Sequence, residues 1–341
     1  MRMTKQQIVQ ELLGQAVQHA STQQTVRCFA HANIALCKYW GKRDTQLNLP
    51  ITSSLSISLG TLGSHVQLQT RPHTDRIQLN DQTLPTQHAA YRRITTFLDL
   101  FRHSNRYFFD LQLTNTIPTA AGFASSASIF AALVKALNTL FAWQLPTSKL
   151  CILARLGSGS ACRSLHSGFV LWHAGNQPNG MDSTAEPLNT AWPQLRLGLL
   201  ITSSQPKAIS SRQAMQHTVT TSPLYNSWPQ LVQHDLVCLQ QAISQRDFHT
   251  LGQISQANAL AMHATMLAAR PSVLYWLPDS VKQIQTVQQA QQQGLPLYFT
   301  MDAGANLKLL FLQQDEQIVR QLFAQLQVVD PFVTDLQQAA T

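Results

Sequence analysis

Apolar positions change their period several times along the chain, and the changes mark the predicted elements. Near the start, Ile8, Leu12, Leu13 and Val17 recur at helical spacing before a polar run, so residues 1–25 read as a short amphipathic extension with no assigned chemistry. Val26, Cys28 and Ala30 alternate, as do Leu55, Ile57 and Leu59, and each set predicts a strand. Alternation from Val66 to Leu79 predicts a hairpin, residues 87–103 a helix, and Tyr107 to Leu113 a strand. The helical period returns from Ile129 to Leu140 and from Ser148 to Leu156, followed by a strand over Gly168 to Trp172. Gly175 to Ala191, broken by Pro178, Gly180 and Pro187, is the predicted domain boundary. Beyond it, Leu195 to Ile201 reads as a buried strand, and helices are expected over Asp235 to Phe248, Leu251 to Ala269 and Val281 to Gln293. Pro296 to Leu312 reads as strand, turn and strand. The expected division is an extension at 1–25, one domain at 26–190 and a second at 191–341.

A length of 341 residues accommodates that division, and 44% hydrophobic with 12% charged residues suits a chain with a real core. No apolar run approaches the ~18–20 residues that span a bilayer, and the opening MRMTKQQIVQELLGQ lacks a secretory pattern, so neither membrane nor leader is expected. Five scattered cysteines without a C-x-x-C pair point to a reducing, cytoplasmic setting, with neither disulfide framework nor zinc cage. The formal charge of +8 is spread along the chain rather than gathered in basic blocks, which argues against nucleic acid. Several cations fall instead inside small-residue loops, which favours a polyanionic small molecule.

Those loops carry the candidate chemistry. Thr116 to Ala127 reads TIPTAAGFASSA, between a strand and a long helix. Small residues at a helix start let a phosphate rest on unpaired N–H groups and on the positive end of the helix dipole. An ordinary capping turn is the alternative, and neither the Walker pattern nor G-x-G-x-x-G is present. Lys38-Tyr39-Trp40-Gly41-Lys42-Arg43-Asp44 crowds three cations with two aromatics; it is either a solvated charged loop or a site for carboxylate and phosphate. Gly157-Ser158-Gly159-Ser160-Ala161-Cys162-Arg163-Ser164 is either a linker or an anion-binding loop whose guanidinium grips a bidentate ligand. Ser211 and Arg212 open another polar patch. His263, Met262 and Met266 read as packing residues. Asp302, in the turn Asp302-Ala303-Gly304-Ala305-Asn306, is either an ordinary turn aspartate, a commonplace in turns, or a functional carboxylate, for which its apolar approach and the many cations elsewhere speak.

Together these segments resemble the mevalonate diphosphate decarboxylases of the GHMP kinase superfamily. The matching pieces are NIALCKYWGKRD with LPITSSLS, then TIPTAAGFASSAS, GSGSACRSL, SSRQAM with TSPLY, NALAMHATM, and MDAGAN, in the family's order from about Ala30 to Asn306. The resemblance implies an α+β fold of two domains, the first like ribosomal protein S5 and the second ferredoxin-like, with the active site in the cleft between them. It implies ATP and Mg²⁺, a homodimer, and conversion of mevalonate 5-diphosphate to isopentenyl diphosphate, ADP, phosphate and CO₂. Carried over, the ATP-phosphate loop falls on Pro118, Ala120, Ala121, Gly122, Ala124, Ser125 and Ser126, with Ser126 also the candidate metal contact. Substrate contacts fall on Tyr39, Trp40, Gly41 and Lys42, on Ser158, Gly159, Ser160, Ala161, Cys162 and Arg163, and on Ser211 and Arg212. The catalytic set falls on Asp302, Lys38 and Arg163. Ala214 and Ala305 depart from the usual Gly and Pro, which bears on loop rigidity. A decarboxylase of the monophosphate, a mevalonate 3-kinase relative, and a non-catalytic polyanion binder are the alternatives.

Overall fold

The computed structural model of the chain describes residues 3–14, 25–102, 107–117, 125–203, 205 and 207–333. Helix α1 (Lys5–Leu13) opens with a capping box between Thr4 and Gln7. Its Ile8, Val9, Leu12 and Leu13 are buried in the core of the first half, while Val17 lies outside the described residues.

Strands β1 (Val26–Cys37), β2 (Lys42–Asp44), β3 (Leu49–Pro50) and β4 (Ser54–Arg71) follow. Then come β5 (Arg76–Leu79), β6 (Gln82–Thr83), helix α2 (Ala89–Leu98) and β7 (Phe108–Asn115). Helices α3 (Ser125–Leu140) and α4 (Thr147–Gly157) precede β8 (Phe169–Trp172) and β9 (Ala185–Pro187). The sheet runs β6-β5-β7-β4-β8-β9, with β1 antiparallel to β4 from Val26 opposite Leu68 to Cys37 opposite Leu55. The expected hairpin over Val66 to Leu79 does not form. Val66 to Arg71 is the far end of β4, and β7 lies between β4 and β5, antiparallel to the first and parallel to the second. Alternation marked both strands correctly, but it holds no information about a partner thirty-odd residues on.

The second half contains β10 (Leu195–Leu200), α5 (Ser211–Thr221), α6 (Trp228–Gln245), α7 (Phe248–Leu267), α8 (Pro278–Gln292), β11 (Tyr298–Met301), β12 (Leu307–Leu312), α9 (Glu316–Leu322) and β13 (Gln327–Val329). Its antiparallel sheet has the order β11-β12-β10-β13. Helix α6 starts well before the expected Asp235, because Pro229 suits a first turn and lacks the N–H a later position needs. Among the described residues no helix is long and apolar enough to cross a membrane.

One apolar cluster joins the halves. Ile34, Leu36 and Leu55 from the first sheet pack in it with Leu197, Val232 and Met262 from the second half. The end of β1 is thereby seated in the second half, where Thr300 Oγ1 donates to Ala35 O (3.3 Å).

Candidate active site

The turn between β11 and β12 delivers Asp302. Four side chains pin its backbone: His263 Nε2 on Asp302 O (3.1 Å), Lys207 Nζ on Ala303 O, Ser280 Oγ on Ala305 O (2.8 Å), and Asn306, whose Oδ1 accepts from the N–H groups of Thr202 and Ser203 (2.7 and 3.0 Å). This fastening holds the turn although Ala305 lacks a proline's stiffness. His263 is buried; burial first, then Lys38 and Lys308, bring its imidazole to about 4 against the Asp302 carbonyl contact, so the ring is neutral and donates to that carbonyl.

The carboxylate of Asp302 sits between two ammonium groups. Lys38 Nζ lies 3.0 Å from Oδ1 and Lys308 Nζ 3.1 Å from Oδ2. Both lysine side chains are 2% exposed and Asp302 is 27% exposed, so the carboxylate is the member that faces the opening. Burial alone would raise its proton affinity, but Lys308 and Lys38 overrule it and hold the group well below the usual carboxylate range. Lys38 Nζ also donates to Ala35 O (2.7 Å), and its backbone N–H donates to Asn258 Oδ1 (2.8 Å), which fixes the exit of β1. Burial first brings its ammonium to about 8, although Asp302 acts in the opposite sense.

From the first half, a 3₁₀ helix over Gly159–Leu165 presents the predicted anion loop. Arg163 is buried, with Nε on Asn33 Oδ1 (3.1 Å), Nη1 on Ser54 Oγ (2.6 Å), and its guanidinium 5.9 Å from the Trp172 ring centre. Ser158 shares a hydrogen bond of 3.2 Å with Ser126, tying this loop to the start of α3. Tyr39 stacks edge-on against Trp172, and its hydroxyl, buried, has no hydrogen-bond partner among the described residues. A Cβ on Gly159 would lie 2.7 Å from that hydroxyl, so glycine keeps the space before it open.

These groups enclose a cavity of about 470 Å³. Its wall includes Lys38, Tyr39, Trp40, Lys42, Ser126, Ser158, Gly159, Ser160, Arg163, Ser211, Arg212 and Asp302, so those predicted residues are brought together. Gly41, Ala161 and Cys162 are not on the wall. Gly41 faces the Tyr225 hydroxyl, and Ala161 and Cys162 are packed beneath the loop. Ser125 opens α3, while Pro118, Ala120, Ala121, Gly122 and Ala124 lie outside the described residues. The wall also holds Arg93 and Lys207, which sequence reasoning missed: Arg93 follows Arg92 in an unremarkable helix and Lys207 lies in a polar loop. Lys308 was missed as well, because a lysine inside an apolar strand carries no signal of what it will face.

Among the described residues the wall thus has six cations, Lys38, Lys42, Arg93, Arg163, Lys207 and Arg212, against Asp302 alone, a balance made for a polyanion. Burial, then Arg212 and Arg93, brings the Lys42 ammonium to about 8. Among the described residues no group of three His, Cys, Asp or Glu side chains could hold a metal unaided. Mg²⁺ is commonly held through phosphate oxygens with few protein ligands, and the Ser126 hydroxyl on the wall is an oxygen donor of the kind it takes.

Comparison with known proteins shows the family of the chain. Residues 30–185 match the diphosphomevalonate decarboxylase-like N-terminal domain, and residues 198–340 the mevalonate 5-diphosphate decarboxylase C-terminal domain. The diphosphomevalonate decarboxylase of Aspergillus fumigatus is 36% identical over 315 residues, covering 85% of this chain and 77% of its own. That of Bos taurus is 37% identical over 307 residues, covering 82% and 75%. The crystal structure of mevalonate diphosphate decarboxylase from Staphylococcus aureus superposes with a TM-score of 0.85 at 33% identity, covering 91% of this chain and 96% of that one. A structure described as MDDEF in complex with MVAPP, AMPPCP and magnesium gives 0.83 at 36% identity, covering 90% and 96%.

Proposed function

Since the chain belongs to the diphosphomevalonate decarboxylase family, we propose how its own residues carry out the ATP-dependent decarboxylation of mevalonate 5-diphosphate to isopentenyl diphosphate. The observation that carries this reading is the Asp302 carboxylate, held between Lys38 and Lys308 and facing a cavity otherwise lined by cations.

The substrate has a diphosphate, a carboxylate and a tertiary C3 hydroxyl. Lys42, Arg93, Arg212 and the unpartnered Tyr39 hydroxyl suit the diphosphate, and Arg163 with Ser158 and Ser160 suits the carboxylate end. Asp302 accepts the hydrogen bond of the C3 hydroxyl and aims its oxygen at the γ-phosphorus of ATP. That oxygen bonds to phosphorus as the bond to ADP breaks. A carboxylate held so low is a weak base, so it takes the proton late, when the attacking oxygen has become strongly acidic. The C3–O bond then breaks, phosphate leaves, and the electron pair of the C1–C2 bond becomes the C2=C3 double bond as CO₂ departs. Lys38 and Arg163 hold the developing negative charge. Ser125 and Ser126, at the start of α3, would contact the nucleotide phosphates, and Ser126 would supply an oxygen to Mg²⁺. When bound, that ion neutralises phosphate charge.

The reading extends to organisation. The two family domains end and begin on either side of residues 186–197, which supports domains at 26–190 and 191–341. All five cysteines are free thiols, which supports a cytoplasmic protein, and a homodimer is the assembly taken with the family. The test is a panel of mevalonate, its 5-phosphate and its 5-diphosphate with ATP and Mg²⁺, following ADP and CO₂ together. Release of both from the diphosphate alone is expected. ADP without CO₂ would instead reveal a 3-kinase, and preference for the monophosphate would reassign the substrate.

A further inference from the structure

We propose that helix α1 is a working part of the substrate site: Lys5 clamps the C-terminal end of α4 and so positions the Ser158–Arg163 loop on the anionic substrate. This rests on the function proposed above. The matched family region begins at residue 30, so α1 lies outside it.

The last carbonyls of a helix have no partners within it. At the end of α4, three elements supply them. Lys5 Nζ from α1 donates to Leu156 O (2.8 Å), Arg93 Nη2 from α2 donates to Gly157 O (3.1 Å), and Asn48 Nδ2 donates to Arg155 O (2.9 Å) and Leu156 O (3.3 Å). Cations there also complement the negative end of the helix dipole. Ser158, the first residue of the anion loop, follows directly. Asn48 Oδ1 in turn accepts from Lys42 Nζ (2.7 Å). Three cavity residues, Lys42, Arg93 and Ser158, therefore hang on one clamp of which Lys5 is a jaw.

Lys5 does not hold this place by chance of a flexible terminus. The buried Ile8, Val9, Leu12 and Leu13 lock α1 into the core, and Gln6 Nε2 donates to Leu100 O (3.1 Å). Burial first, and then Arg212 and Arg93, lower the Lys5 ammonium. Among the described residues no carboxylate forms an ion pair with Lys5, Lys42, Arg93 or Arg212, so a bound diphosphate relieves a repulsion that α1 helps to build.

The test compares Lys5→Met, which keeps the aliphatic stem, and Lys5→Arg in the full chain. KM for each substrate, melting temperature, and calorimetric affinity for mevalonate 5-diphosphate and for inorganic diphosphate are measured. Lys5→Met is expected to raise KM for mevalonate 5-diphosphate and weaken both calorimetric affinities by about three- to ten-fold, the worth of one partly buried charge at a helix end. KM for ATP should move less than two-fold, kcat should fall less than KM rises, and Lys5→Arg should restore the affinity. Unchanged affinity for inorganic diphosphate in Lys5→Met overturns the clamp. So does a uniform rise of both KM values that follows the melting temperature, since that marks α1 as packing alone. Wild-type protein that binds inorganic diphosphate but not mevalonate 5-diphosphate contradicts the proposed substrate instead, and the Lys5 effect on inorganic diphosphate still decides the clamp.

Discussion

Lys38 and Asp302 are far apart in sequence, yet their side chains meet at 3.0 Å, and the proton balance of the site follows from that pair and its neighbours. Burial brings Lys38 and Lys42 each to about 8, below an ordinary 10.5. In the free enzyme kcat/KM should therefore fall above about pH 8, with a slope approaching two protons, and Lys42→Met should reduce that slope towards one. Bound phosphates favour the charged ammoniums, so the corresponding fall in kcat lies at higher pH. A kcat/KM that stays level to about pH 10 contradicts the assignment. The stability effects have opposite signs. The folded state sheds the lysine protons before the unfolded chain does, so the cost of burying charged Lys38 and Lys42 is full below about 8 and is relieved as pH climbs towards 10.5. Asp302 is depressed on folding, so its stabilisation is present above the unfolded carboxyl value of about 4 and is lost as pH falls below it. Arg163→Ala should raise KM for the diphosphate substrate and lower kcat, together at least about 10²-fold in kcat/KM, and Arg163→Lys should not rescue it, because Asn33 and Ser54 hold a planar fork that a lysine lacks. The sequence singled out Lys38 within a run of three cations and two aromatics and Asp302 by its apolar approach, and the fold brings the two side chains together. Lys308 and Arg93 were illegible: each lies in a regular element whose pattern is set by packing, and only the fold shows which way the charged side chain turns.

Elements position those residues, and most were readable from their periods. The end of β1 and the β11–β12 turn converge because Ile34, Leu36, Ala303 and Leu310 are all seated in the apolar cluster that joins the halves. What alternation withheld was pairing: β7 separating β4 from β5 is a long-range fact with no local signature. The anion loop is likewise a 3₁₀ helix rather than a linker, and its tightness explains the glycine at 159. Gly159→Ala places a Cβ 2.7 Å from the Tyr39 hydroxyl and closes the space kept for substrate. Its melting temperature should fall by only a few degrees, a cost of about 1 kcal/mol, while KM for mevalonate 5-diphosphate rises at least about ten-fold. Steady-state kinetics beside a thermal melt checks this, and an unchanged KM removes the cradle.

At the scale of the whole molecule, the site exists only because the halves share a core. Ile34 and Leu55 pack with Leu197 and Val232 in that core, and the segment after β13 returns to the first half, where Ser58 Oγ donates to Pro331 O (3.0 Å). Thermal unfolding followed by calorimetry and by tryptophan fluorescence should therefore give one coincident transition, raised when both substrates bind; two separate transitions would show the halves to be independent. The central claim is that one carboxylate from the second half serves chemistry assembled mainly by the first. Asp302→Asn tests it most directly, with CO₂ release and calorimetric binding of mevalonate 5-diphosphate and ATP measured on the same preparation. The expected result is turnover lower by about 10³-fold or more, with both affinities within about ten-fold of wild type. CO₂ release near the wild-type rate, with both ligands bound, would contradict it.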